Sequence, residues 1–545
     1  MKKQSLKAIA LVLALLFLLT ACTPSSSDDS DSRPSETSGI TIVDNTDQDE
    51  SNASTVEEIQ ARVTDDTLNL VLPAEPTSLT PQSAAGGSQV LMWTLMYDTL
   101  LRYDYETNSL VPCIAESYEW LDDTHMQFNL RDDVVAYDGT IITANDVLYT
   151  LEMGRDGAKA DVFAIYDFDE CYAPDDFTVV LALNQVRPSL ADIVCANHYG
   201  IVDESSVEAA GGWEAAMRDA YCNTGLYNLV EWVAGDHILL ERNENFWDES
   251  RAAYYKYINI TFVADGSSRA MAILSGDADV TCELTVAQAE SIANDPNATV
   301  NFWTKTNTMP LFMNCSMAPF DNELVREAFY LAIDAEAVVQ LCMGGYTTTT
   351  ETLFPSASRY YVDLGEDRKV DVERAKELLA EAGYGDGLTV TLTLTQNYAT
   401  IGELLQSQLE QIGVTLELDV VESATNVTRQ QQGDYQMQIT QNQGYDIYVS
   451  CDRLDGRLST VLANGGAQYK DETCYEFIDA CRAALNEEDR MAAFADLQEY
   501  TLEKHIVIGL YNDFTVSAMS SSIAGGGLTM DGYFDVSTVY NVPTE

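Results

Sequence analysis

Apolar and polar positions alternate most regularly between Asp371 and Val420. Behind the capping residue Asp371, the side chains Val372, Ala375, Leu378, Leu379 and Ala382 recur at helical spacing, and Gly383 closes the element. Gly385-Asp386-Gly387 then turns the chain into a strand with Leu388, Val390, Leu392 and Leu394 on one side. Ile401, Leu404, Leu405, Gln408, Leu409 and Ile412 return to helical spacing as far as Gly413, and Val414, Leu416, Leu418 and Val420 alternate again. Strand, helix and strand over about thirty residues predict a parallel pair with a right-handed crossover. Upstream, Leu68, Leu70 and Leu72 read as a strand ended by Pro73, and Val90–Leu101 reads as a helix burying Leu91, Leu95 and Trp93. A Pro-, Ser- and Gly-rich loop, Glu75 to Ser88, lies between them. Ala144–Met153 reads as a further helix, preceded by the Asp138-Gly139 turn. The fold class is α/β.

The first residues change where this body is expected to work. Lys2, Lys3 and Lys7 precede an unbroken apolar run from Ala8 to Leu19, too short to span a bilayer and typical of an export signal. Thr20-Ala21-Cys22 resembles the bacterial lipobox, in which the cysteine is lipidated and becomes the mature N-terminus. On that reading 1–21 is a signal peptide and 22–65 a lipidated tether. The tether is rich in Ser and acids and poor in large apolar residues, so it is expected to stay disordered, with the folded body starting at Asp66. No later stretch has the length of a membrane-spanning helix.

Formal net charge is −58, which disfavours nucleic acid and anionic lipid surfaces as partners. Carboxylates are so frequent that a pair of them carries no catalytic signal. Eleven cysteines leave ten after Cys22, scattered without a CxxC pair, so buried free thiols and a disulfide framework both stay open. The four histidines, His125, His198, His237 and His505, are isolated, which speaks against a metal site, and no cofactor is expected. The chain contains no GxxxxGK[ST], HExxH, GxSxG or helix-opening GxGxxG motif, and a surface hydrolase is disfavoured accordingly.

Several segments, in order, resemble the solute-binding lipoproteins of ABC transporters of the peptide and nickel class, family 5. These are Tyr97-Asp98-Thr99-Leu100-Leu101-Arg102-Tyr103, Phe128-Asn129-Leu130-Arg131-Asp132, the turn Asp138-Gly139-Thr140 and the helix start Thr143-Ala144-Asn145-Asp146-Val147. Thr224-Gly225-Leu226-Tyr227, Leu274-Ser275-Gly276-Asp277-Ala278-Asp279-Val280 and Pro319-Phe320-Asp321 continue the match. The resemblance implies a periplasmic-binding-protein-like fold of type II, with a hinged two-lobe trap and an accessory lobe. Lobe I would take 66–100, 223–310 and 507–545, the accessory lobe 101–222 and lobe III 311–506, with the hinge near Pro310 and Ile506. It implies a monomeric, non-enzymatic protein that closes around a small solute, foremost an oligopeptide, and hands it to the permease subunits of an ABC importer.

By the same resemblance, Ala85, Gly86 and Gly87 match a loop whose backbone pairs with an extended peptide, and Thr224, Gly225 and Asn314 match cleft positions. Peptide-binding relatives carry a tryptophan and, three residues on, an aspartate that receives the peptide ammonium. Here the segment is Thr440-Gln441-Asn442-Gln443-Gly444-Tyr445-Asp446, with Asn442 in place of the tryptophan, Tyr445 in place of the aspartate and Asp446 one position later. Gln441, Asn442 and Gln443 suit sugar hydroxyls equally. An oligosaccharide-binding protein or a non-transporting surface sensor therefore stands beside the peptide reading.

Overall fold

The computed structural model describes residues 40–43, 56–82, 87–104, 109–157, 160–212, 215–216, 223–251, 253–356, 358, 360–364, 368–443, 466–484, 486–529 and 532–542. The lipobox cysteine Cys22 and the expected contact residues Ala85, Gly86, Tyr445 and Asp446 lie outside them.

In chain order the first elements are β1 (Ile40–Val43), α1 (Val56–Ala61), β2 (Thr67–Leu72) and α2 (Gly87–Met96). Next come β3 (Leu101–Asp104), β4 (Ser109–Pro112), β5 (Ala115–Trp120), β6 (His125–Leu130), α3 (Ala144–Asp156), β7 (Tyr172–Asp175) and β8 (Thr178–Ala182). They are followed by β9 (Tyr227–Val233), β10 (His237–Arg242), β11 (Tyr257–Phe262), α4 (Gly266–Ser275), β12 (Val280–Cys282), α5 (Val286–Ile292) and β13 (Ala298–Met313). The later elements are α6 (Glu323–Ala332), α7 (Ala335–Cys342), α8 (Val372–Glu381), β14 (Leu388–Leu394), α9 (Ala399–Glu410) and β15 (Val414–Val420). Last are α10 (Ser423–Gln432), β16 (Met437–Ile439), β17 (Asn442–Gln443), α11 (Glu472–Ala483), α12 (Glu487–Glu503) and β18 (Val507–Ser520).

One sheet runs β15-β14-β16-β13-β18-β12-β2-β11-β10-β9, with β1 and β17 pairing on β13. β14 and β15 are parallel in full register from Leu388 opposite Val414 to Leu394 opposite Val420, as the alternation predicts. The Asp371 side chain caps α8 by accepting from Arg374 N, and Ala375, Leu378 and Leu379 are buried. A separate antiparallel sheet, β5-β6-β8-β7, packs its own apolar core, in which Phe128, Val147, Phe163 and Leu181 are buried. The long strands β13 and β18 are antiparallel from Ala298 opposite Ser520 to Phe312 opposite Val507, and link a core around β2 and β11 to another around β14 and β16.

Two expectations change. The helix expected over Val90–Leu101 ends at Met96, because Asp98 N is taken by the Thr224 hydroxyl (2.9 Å) and the chain bends into β3. Parts of the segment expected to stay without structure form elements. β1 lies parallel on β13, Ile40 opposite Val300 and Val43 opposite Trp303, with Ile40 and Ile42 packed on the apolar core there, and Ile59 of α1 is buried. A few apolar side chains suffice where an open strand edge supplies backbone partners.

Candidate ligand-binding cleft

The strand directions define where a ligand sits. In open α/β sheets the binding crevice lies beyond the carboxyl ends of the parallel strands. β12 runs parallel to β2 and antiparallel to β18, Val280 opposite Met519 and Cys282 opposite Ser517, so its carboxyl end points along β18 toward Asp513. β16 runs parallel to β14 and antiparallel to β13, Met437 opposite Met313 and Ile439 opposite Leu311, so its carboxyl end points back along β13 toward Thr308. The two sets of carboxyl ends converge where β13–β18 pairing breaks, between Thr304 opposite Phe514 and Thr308 opposite Asn512. Lys305 Nζ lies there, 3.2 Å from Asp513 Oδ2, and Gln441 Nε2 donates to the same oxygen.

On the β14–β16 side the carboxyl ends surround a cavity of about 940 Å³ lined by Thr395–Tyr398, Val420–Ser423, Asn426, Val427, Gln430, Thr440 and Gln441. Hydroxyls and carboxamides dominate its wall, and among the described lining residues none is basic and Glu422 alone is acidic. The first turn of α10 stands at the rim, where the Glu422 side chain makes no capping bond. Behind it, Gln438 Nε2 donates to Asn426 O (2.9 Å) and Asn426 Oδ1 (2.8 Å). Gln430 Nε2 and Gln438 Oε1 are buried without a hydrogen-bond partner. Burial, and secondarily the Asp513 charge, push the Tyr398 hydroxyl up to about 12, so it stays a neutral donor.

On the β2–β12 side the carboxyl end of β12 carries Glu283, a non-glycine residue with φ of 56°. Gly87, the first residue of α2, lies against it, and a Cβ at 87 would fall 1.9 Å from Glu283 Oε1. Glu75, after β2, is already engaged, accepting from Trp232 Nε1 (2.7 Å) and Gly235 N (3.0 Å).

The positions matched by resemblance mostly spend their polar groups inside the fold. Thr224 is fully buried, accepts from Asp98 N and donates to Ile201 O (3.2 Å). Gly225 N donates to Met96 O, and a Cβ there would meet Met96 C at 2.4 Å, so the residue serves close backbone packing. Asn314 is buried, with Nδ2 donating to Gly433 O and Tyr435 O, both at 3.0 Å, and Oδ1 accepting from Ser316 N and Oγ. Asn442 is fully buried in β17 and donates to Leu353 O (2.9 Å). Gln443 pairs through β17 with Asn307. Of the cavity residues the sequence pointed to Thr440 and Gln441 but not to the others or to Glu283, although the ends of the two alternating strands mark Thr395 and Val421 as the edge of a crevice.

Cys113, Cys171, Cys282, Cys315 and Cys342 are free thiols, and burial pushes Cys113 and Cys315 up to about 12. Among the described residues no three His, Cys, Asp or Glu side chains gather as a metal site, and no helix is long and apolar enough to cross a membrane.

A sheet carried through two crossing strands, with carboxyl-end crevices converging on the crossing, defines the class of multi-lobed solute-binding proteins. The chain belongs to the bacterial extracellular solute-binding proteins, family 5, whose middle region matches residues 109–450. It is 26% identical over 357 residues to the glutathione-binding protein GsiB of Pectobacterium atrosepticum, covering 64% of this chain and 68% of that protein. Among solved structures it resembles the periplasmic binding protein DppA of Helicobacter pylori in complex with the peptide STSA, with TM-score 0.69, 21% identity, and coverage of 89% of this chain and 99% of that one. HbpA2 of Haemophilus parasuis gives TM-score 0.77 at 18% identity, over 88% of this chain and 100% of that one.

Proposed function

We propose that this protein captures a short peptide between two lobes and delivers it to the permease of an ABC importer, without bond chemistry. Lobe I comprises 66–100, 223–310 and 507–545, the accessory lobe 101–222 and lobe III 311–506. The observation that carries the reading is the convergence of both carboxyl-end edges on the irregular stretch of β13 and β18. A break in pairing, followed by a register shift between Met309 and Pro310, is where two long strands bend at low cost, and closure there buries a solute from both sides. The relatives add support: GsiB is a glutathione-binding protein, and the DppA structure holds a peptide.

The test is a thermal-shift screen with small-angle scattering. A solute bound only by the native state adds about 2.7 kcal/mol of apparent stability at a hundredfold excess over Kd, and closure reduces the radius of gyration. Tight binding without compaction overturns the hinge. A second reading, an oligosaccharide as solute, is favoured by the carboxamide and hydroxyl wall of the 940 Å³ cavity, and the same screen separates the two. The mature chain is held outside the cell by lipid on Cys22, after removal of 1–21. Cys22→Ser is expected to abolish membrane attachment, and fractionation showing unchanged attachment overturns the anchor.

A further inference from the structure

We propose that Glu283 is a specificity-determining residue that receives a cationic group of the solute, which is a peptide α-ammonium on the reading above.

Glu283 sits at the carboxyl end of β12, on the side where the two edges converge. Its backbone has φ of 56°, a region that a side-chain-bearing residue enters only against steric resistance. Such outliers concentrate at ligand clamps, where the surrounding structure over-determines them. Here the restraint is visible. The Arg269 guanidinium donates to Val263 O (2.8 Å), Ala264 O (2.9 Å), Cys282 O (3.5 Å) and Glu283 O (3.0 Å), which pins the main chain on both sides of the strained residue.

Among the described residues, the carboxylate that this backbone presents has no hydrogen-bond or ion-pair partner. Both nearby cations are committed elsewhere, Arg269 to those carbonyls and Lys305 to Asp513 at 3.2 Å. Packing over Gly87 removes water from one side of the group, and the burial raises its pKa against the pull of Lys305 and Arg269, while another flank stays exposed. An unbonded acid at a partly desolvated cleft edge gains most from a ligand cation. The opposite edge offers no competing charge beyond Glu422 among the described lining residues. A cation placed at Glu283 leaves the rest of the solute against the neutral amide wall.

The full chain, as wild type and as Glu283→Gln, is exposed to three pools: tri- to pentapeptides with free ammonium groups, the same peptides N-acetylated, and malto- and cello-oligosaccharides. Retained compounds are identified by mass spectrometry and the best binder is titrated by calorimetry. Wild type is expected to retain free peptides. Acetylation and Glu283→Gln should each raise Kd at least about tenfold, and together no further than either alone. The unliganded melting midpoint of Glu283→Gln should equal or exceed that of wild type. Equal affinity of Glu283→Gln for free peptides, an undiminished effect of acetylation in the variant, or a lowered midpoint overturns the role of Glu283 and leaves peptide binding standing. Retention of neither peptide pool by wild type overturns the peptide reading and the ammonium assignment together.

Discussion

The two edges of the cleft have the same topology and opposite chemistry. On the β14–β16 edge the wall is amide and hydroxyl with Glu422 as its one described acid, and the buried unspent bonding capacity is neutral, at Gln430 Nε2 and Gln438 Oε1. On the β2–β12 edge one residue holds the left-handed conformation and presents an unbonded charge, Glu283. What distinguishes a recognition group from a structural one here is therefore the bonding capacity it has left over. By that measure Thr224 and Asn314 work for the fold, since their side chains bond Ile201, Gly433 and Tyr435 carbonyls. Glu283 and Gln430 have capacity to offer a solute.

The largest expected effect tests that division on Asn314. Its side chain satisfies two buried carbonyls and accepts two bonds from Ser316, so Asn314→Ala should cost about 3 kcal/mol in urea unfolding. A stability loss below about 1 kcal/mol with a large fall in solute affinity would move Asn314 to the ligand side. Next comes Gly87→Ala. The new Cβ cannot coexist with Oε1 at 1.9 Å, but that oxygen ends a flexible side chain, so the carboxylate swings away and the fold survives. Peptide affinity should fall about tenfold, roughly 1.4 kcal/mol, with stability nearly unchanged, and calorimetry showing wild-type affinity would break the link between Gly87 and Glu283. A smaller effect of opposite sign is expected for Gln430→Leu. Removing a buried donor that bonds nothing should raise unliganded stability by about 1 kcal/mol and weaken solute binding. Destabilisation would show that Gln430 is already satisfied in the unliganded protein.

The same contrast explains what could be read from residues alone. Helices α8 and α9 and strands β14 and β15 bury one face each, so their periodicity marked them closely; Val414–Val420 matches to the residue. Helix α2 is buried almost all round, from Ser88 to Met96 with only Thr94 partly open, so no polar position announced its end and Thr224, remote in sequence, decided it. Strands β13 and β18, buried on both faces along most of their length, show no alternation to read. Family resemblance led to Thr224-Gly225, whose hydroxyl bonds and close backbone approach serve packing in this chain. The conformation of Glu283 left no trace in Val280-Thr281-Cys282-Glu283, and the arginine that holds the carbonyls of Cys282 and Glu283 lies fourteen residues earlier in the chain.

The last prediction follows Glu283 through pH. Burial raises its carboxyl above the ordinary value, against Arg269 on α4 and Lys305 on β13, the latter partly offset by Asp513; Cys282 beside it is held protonated by burial. A folded-state pKa above the unfolded one means that the native protein binds a proton more readily than the unfolded chain. The contribution to stability is then fully present below the unfolded pKa and is lost as pH rises through the raised folded value. At neutral pH the ionised group burdens the unliganded fold, so Glu283→Gln should raise the melting midpoint at pH 7 relative to wild type, and the gap should close as pH falls through the acidic range. Binding runs the other way. A peptide ammonium needs the carboxylate, so wild-type affinity should decline on acidification at a higher pH than an ordinary glutamate would give, and the Glu283→Gln titration should be flat there. Calorimetry between pH 4 and 7 on both proteins checks the two slopes together, and parallel wild-type and variant curves would show that the charge on this edge takes no part in recognition.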